Sequence, residues 1–221
     1  MLLLDLDDTI FETASIPHKV VEPAIVVVRT WFETEFGIEK ANQIISALWK
    51  LPFDIVSRKY EIPNEVQADF FRKLDAIDYN LDIRPFDDYP ELLKIPKRKI
   101  LVTTGFLKLQ NAKIDALKIR NDFEAIYIDD PREKNRRHKK GIFESILKNT
   151  NLPPSEFWVI GDNPNSELKA GRELGMRTVQ RLKISREKSE VADFGIFGFE
   201  ELGKLIIRSE LNKFGNYKAF R

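Results

Sequence analysis

The chain opens with Met1-Leu2-Leu3-Leu4 and runs straight into Asp5-Leu6-Asp7-Asp8-Thr9. A short apolar run that stops at carboxylates reads as a buried parallel strand whose carboxyl end opens onto a site. In an extended chain residues i and i+2 share a face, so Asp5 and Asp7 can aim into one pocket while Leu6 turns away. Two carboxylates this close in a dry pocket do not both stay charged unaided: one takes a proton, or a cation sits between them. Mg²⁺ suits such a place, because it takes oxygen ligands at about 2.0–2.1 Å. Taken alone, the stretch also fits a strand end capped by solvated acids.

The totals exclude several classes of function. The 221 residues suffice for one large domain, or for a core with a smaller insert. A formal net charge of +1 gives no electrostatic case for nucleic-acid binding. The absence of cysteine removes disulfides, thiolate zinc sites and cysteine nucleophiles, and is compatible with a reducing cytoplasm. The two histidines, His18 and His138, read as surface groups, so acid–base chemistry falls to carboxylates, lysines or tyrosines. No apolar run approaches about 18 residues, so no membrane span is expected. The first residues lack a signal-peptide pattern. Trp31, Trp49 and the sixteen phenylalanines read as core.

After Ile10 the grammar becomes helical. Val21, Ile25, Val28 and Phe32 recur at helical spacing up to Gly37, with Pro23 marking a start or kink. A second helix is expected over Glu39–Lys50, stopped by Pro52, and a third opens at Pro63-Asn64. Residues 78–90 read as loop, and Glu91–Lys94 as a short helix end. From Lys97 strands and helices alternate. Strands are expected at Lys99–Thr103, Glu124–Ile128, Phe157–Ile160, Thr178–Leu182 and Phe194–Phe197. Helices are expected at Lys108–Ile119, Lys140–Asn149, Pro164–Leu174 and Glu200–Ser209, with a polar, fraying tail over 212–221. This order specifies an α/β fold: a Rossmann-like parallel sheet with helices on both faces. The core takes residues 1–11 and 97–221, and a helical cap over 12–96 is inserted after the first strand. Asp5, Asp7, Thr103, Gly105, Asp129 and Asp162 all fall at expected strand ends, where such sheets bind ligands.

Three distant strand ends thus carry Asp5-Leu6-Asp7-Asp8-Thr9, Leu101-Val102-Thr103-Thr104-Gly105 and Val159-Ile160-Gly161-Asp162-Asn163. Together they resemble the haloacid-dehalogenase-like superfamily, most of whose members are Mg²⁺-dependent phosphohydrolases. The first motif is met at Asp5 to Thr9, the second at Thr103, and the fourth at Gly161-Asp162 with Glu167. The resemblance implies that Asp5 attacks phosphorus and that Asp7 protonates the leaving oxygen and then helps to activate water. It also implies that Asp5, Asp162 and the backbone carbonyl of Asp7 hold Mg²⁺. Thr103, with backbone N–H groups near Thr104 and Gly105, would hold phosphoryl oxygens. The third motif needs a lysine, and the run Arg132-Glu133-Lys134-Asn135-Arg136-Arg137-His138-Lys139-Lys140 offers Lys139, Lys140 and Arg137. Lys139 is favoured as catalytic, with Lys140 beside the substrate. Most other charges in this run read as solvated, since one site needs one cation. Glu167 is left open between a water-mediated ligand, a loop brace and a surface glutamate.

The resemblance implies a small phosphorylated substrate. Charge, hydropathy and the lack of cysteine lead to the expectation of no nucleic-acid or membrane partner and a cytoplasmic location, and a monomer or homodimer is expected. Phosphomutase is the nearest enzymatic alternative, because it needs the same core. Outside catalysis, a phospho-accepting signalling module could use Asp129 or Asp130 as its acceptor. A degenerate binding protein on the same fold is a further alternative.

Overall fold

The computed structural model describes residues 1–49, 51–183 and 187–218, with side chains up to Leu211. Six parallel strands form one sheet: β1 (Leu2–Leu4), β2 (Lys99–Thr104), β3 (Ala125–Asp129), β4 (Trp158–Gly161), β5 (Arg177–Arg181) and β6 (Phe194–Ile196). Their order is β3-β2-β1-β4-β5-β6, so β1 lies at the switch point, hydrogen-bonded on either side to β2 and β4. Alternation along β1 feeds two cores. Leu2 and Leu4 join one apolar cluster, and Met1 and Leu3 join the other on the opposite face.

One face is covered by α5 (Tyr89–Leu93), α6 (Leu107–Ala116) and α9 (Phe199–Lys218). The other is covered by α7 (His138–Thr150) and α8 (Glu167–Glu173). Helix α8 begins at Glu167, three residues later than Pro164, where the sequence pointed. Asn163 closes a local turn instead, its side-chain oxygen accepting from the Asn165 N–H at 2.9 Å. Helix α9 runs on through part of the stretch expected to fray, whose last residues, 219–221, lie outside the described ones.

The insert contains α1 (Glu22–Phe36), α2 (Ile38–Leu48), α3 (Phe53–Lys59) and α4 (Asn64–Ala76). Its own apolar cluster spans Val21 to Leu74. Ile83, Tyr89, Leu92 and Ile95, within the stretch assigned to the insert from the sequence, pack with the sheet instead. Short α3 was not legible, because Pro52 reads as a stop although it also serves as an N-cap. Trp49 is exposed and stacks on His18 with ring centroids 4.1 Å apart, so it is not a core residue.

Cap and core are fastened next to the sheet's carboxyl edge. Phe106, the residue before α6, packs against Phe53, Phe70 and Phe71 of the cap at 6.1, 5.8 and 6.0 Å. Arg136 donates to both oxygens of Asp129 at 2.7 Å and also to Asp54 on α3. Arg132 holds Asp130 at 2.8 Å and Asp75, at the end of α4, at 2.9 Å. The expectation that these arginines are solvated is therefore corrected. Loop charges near a buried carboxylate are drawn into ion pairs, because an unpaired buried charge is far costlier than an ordered side chain. The Arg136 side chain is 6% exposed and that of Asp129 3%. Arg136→Met, which strands Asp129, should lower the unfolding free energy by about 3 kcal/mol in urea titrations. A change below about 1 kcal/mol would mean that the pair carries little of the cap–core junction.

Candidate active site

The site is built where β1 and β4 end side by side. The Asp5 N–H donates to the Ile160 carbonyl at 2.9 Å, which places Asp5 opposite the turn that carries Asp162. Lys139 enters from the first turn of α7 and is 4% exposed. Its ammonium lies 2.7 Å from Asp5 Oδ1 and 2.8 Å from Glu167 Oε2. Glu167 is fully enclosed, so it is not a surface glutamate. Its other oxygen accepts from the Asn163 N–H at 2.7 Å and so braces the Asp162 loop. Gly161 makes room for this brace: a Cβ there would lie 2.2 Å from Glu167 Oε1.

Ligand oxygens of Asp5, Asp162 and Glu167 fall within 4.8 Å of one another. Three carboxylates and one ammonium leave two negative charges uncompensated in a nearly dry pocket. Burial pushes Asp5 up to about 8, with Glu167 adding to the rise against the pull of Lys139. Burial, then Glu167 and Asp8, push Asp162 up to about 7. Burial lowers Lys139, but the charges of Asp5 and Glu167 outweigh it and hold the ammonium above the usual lysine range. Two carboxylates that retain protons stand in for one divalent charge. An all-oxygen donor set of this kind fits a hard divalent cation.

Asp7 has a different environment. Lys113 Nζ donates to its Oδ1 at 2.7 Å, Gln110 Nε2 to its Oδ2 at 3.0 Å, and the Thr13 hydroxyl to Oδ1 at 3.2 Å. Burial pushes its carboxyl up, but Lys113 and these donors together hold it below the usual range. Neither Gln110 nor Lys113 was singled out from the sequence. The available signal was two polar residues three apart on the helix that follows Thr103-Thr104-Gly105.

The structure brings Asp5, Asp7, Thr103, Lys139 and Asp162 to the carboxyl edge of the central strands. It does not bring Lys140 there: this side chain is 47% exposed and pairs with Glu173 at 2.8 Å. Arg137 is also exposed and bonds Ser145 at 2.8 Å. One residue before Lys140, Lys139 faces inward because neighbouring positions on a helix lie about 100° apart. The Thr104 hydroxyl donates to Asp129 Oδ2 at 3.0 Å and the Gly105 N–H to the Asp129 carbonyl at 3.2 Å. Of the two expected phosphate contacts, the Gly105 N–H is thus already engaged, and at Thr104 it is the hydroxyl that is engaged. Asp129 and Asp130, the acceptors required by the signalling alternative, are held by Arg136 and Arg132.

The model of the haloacid dehalogenase-like hydrolases matches residues 1–175. The chain belongs to that family. Glyceraldehyde 3-phosphate phosphatase of Pyrococcus furiosus is 24% identical over 94% of this chain and 93% of its own. Enolase-phosphatase E1 of Aquifex aeolicus is 34% identical over 53% of each chain. Among solved structures, CbbY of Rhodobacter sphaeroides in complex with phosphate superposes with a TM-score of 0.62 at 17% identity, covering 91% of this chain and 95% of its own. This member is a hydrolase with phosphatases among its relatives.

The raised carboxyls set the pH dependence. Between the unfolded value of 3.8 and the folded values of about 8 and 7, the native state holds more protons than the unfolded chain. Stability of the metal-free protein from these groups is therefore greatest near pH 4 and declines as pH rises towards 8. A divalent cation bound by these carboxylates would have to displace those protons, so titration with magnesium should release about two per ion at pH 6 and fewer at pH 9. Calorimetry in buffers of different ionisation enthalpy measures this. Proton-neutral binding at pH 6 would contradict it.

Proposed function

We propose that this hydrolase is a Mg²⁺-dependent phosphatase that removes phosphate from a small phosphorylated metabolite through an aspartyl-phosphate on Asp5. The observation that carries this reading is the Lys139 ammonium, 2.7 Å from Asp5 in a carboxylate cluster with room for one dication's charge. A phosphate monoester is already negative, so its cleavage needs positioning and charge neutralisation above all. Asp5 and Asp162 would hold the ion with the Asp7 carbonyl, and Glu167 would support them from behind. When bound, Mg²⁺ supplies charge that shields the nucleophile from phosphate repulsion.

In the first half-reaction an Asp5 carboxylate oxygen bonds to phosphorus, the ester P–O bond breaks, and the leaving oxygen takes a proton. Lys139 steadies the charge shared by Asp5 and the phosphoryl group. In the second half a water oxygen bonds to phosphorus and the Asp5–phosphorus link breaks, which frees inorganic phosphate and the carboxylate. Asp7, held ionised by Lys113, is suited to take the proton of that water. Protonation of the leaving oxygen in the first half would draw on the Asp7–Lys113 pair. The cap, fastened by Phe106 and Arg136, would cover the site and exclude bulk water.

The near full-length likeness to glyceraldehyde 3-phosphate phosphatase includes the cap, which makes that ester the first to test. No helix among the described residues is long and apolar enough to cross a membrane. Steady-state phosphate release from p-nitrophenyl phosphate should require Mg²⁺ and stop on chelation. Asp5→Asn should lower kcat by at least about 10³-fold, the scale lost when a nucleophile is removed. Wild-type rates without added metal, or an active Asn variant, would refute the mechanism. Formation of a stable phosphoprotein without turnover would favour a phospho-accepting role.

A further inference from the structure

We infer that Gln110 is a positioning residue that fixes the direction of the Thr103 hydroxyl proton, so that Thr103 serves as a donor to the bound phosphoryl anion. The inference rests on the phosphate-handling site proposed above and assigns a role within it to a helix residue outside the motifs.

Gln110 lies in the first turn of α6 and is 1% exposed. Its Nε2 sits 2.6 Å from Thr103 Oγ1, 3.0 Å from Asp7 Oδ2 and 3.2 Å from the Thr104 carbonyl oxygen. An ionised carboxylate and a carbonyl only accept hydrogen bonds. The amide must therefore present its NH₂ to this group, because the flipped orientation would set Oε1 against two acceptors. Thr103 Oγ1 is left with one role towards Gln110, that of acceptor. A hydroxyl has a single proton, and that of Thr103 is directed away from Gln110.

Thr103 is fully buried and donates to no group among the described residues. A buried donor without an acceptor is costly, and an arriving phosphoryl oxygen relieves that cost. The loop is shaped around the same side chain: a Cβ on Gly105 would lie 2.8 Å from Gln110 Cδ and 3.0 Å from Cγ. Gln110 thus ties the second-motif threonine to the Asp7 carboxylate through one amide. Without it, the Thr103 hydroxyl is free to rotate and to spend its proton on protein oxygens.

The test is calorimetric titration of inorganic phosphate into the magnesium-loaded protein, for wild type, T103V, Q110M, Q110L and the T103V/Q110M double variant. Two apolar replacements of similar length are used so that one folded variant suffices, with folding checked by circular dichroism. Loss of one hydrogen bond to a charged ligand should weaken phosphate binding about tenfold in T103V. Q110M or Q110L should weaken it at least about threefold alone, and less than about 1.5-fold when added to T103V. A residue that merely supports the fold would weaken binding equally in both backgrounds. Equal losses in both backgrounds, no loss in either Gln110 variant, or no phosphate binding by wild type would each overturn the inference. The titration needs no turnover. A wild type that binds phosphate with this coupling but hydrolyses no ester would refute the phosphatase reading and leave the role of Gln110 intact.

Discussion

Three carboxylates share a nearly dry pocket with one ammonium, and the architecture around them follows from the need to balance that charge. Asp5 and Asp162 are brought together because β1 and β4 are neighbours in the sheet, and Glu167 arrives because α8 starts just past the same turn. Lys139 offsets one charge of the three. Burial of the remainder pushes Asp5 up to about 8 and Asp162 up to about 7. Three acids facing one ammonium form a donor set of the kind that could hold a divalent cation.

Topology explains why distant stretches meet. The strand order places β1 between β2 and β4, so the residues just beyond these three strands open on one edge at the switch point. The neighbouring strand β3 contributes differently. Its terminal Asp129 receives the Thr104 hydroxyl on one side and Arg136 on the other, and Arg136 reaches Asp54 in the cap. The loop after β2 and the helical insert are thereby joined through two side chains. Separating the insert from the core would break buried ion pairs and withdraw Phe106 from its aromatic neighbours, which opposes such movement.

The strand ends were legible in the sequence because burial on both faces forces apolar runs, and carboxylates can interrupt such runs only where they end. Asp5, Asp7 and Asp162 stand out in that way, whereas Thr103 was read from the second motif. Lys139 was separated from Lys140 only by the helix, since a basic run carries no sign of which member turns inward. Gln110 and Lys113 were invisible for a related reason: polar residues on a helix read as solvent-facing, and these face a polar site instead. Arg132 and Arg136 were read as solvated because the insert acids that bind them, Asp75 on α4 and Asp54 on α3, lie far away in sequence. Helix α5 reads as helical like the insert, and only packing reveals that Leu92 and Ile95 join the sheet's apolar cluster. Local pattern specified the elements, whereas the long-range ion pairs needed coordinates.

The central claim is that the charge arrangement leaves Asp5, among all the acids here, as the group that accepts phosphorus. The most direct measurement is to quench the enzyme during turnover, reduce any acyl phosphate with borohydride, and locate the reduced residue by peptide mass spectrometry. The account predicts conversion of the residue 5 carboxyl to the alcohol, dependent on both substrate and magnesium. Reduction at a different carboxylate, or at none while phosphate is still released, would contradict it.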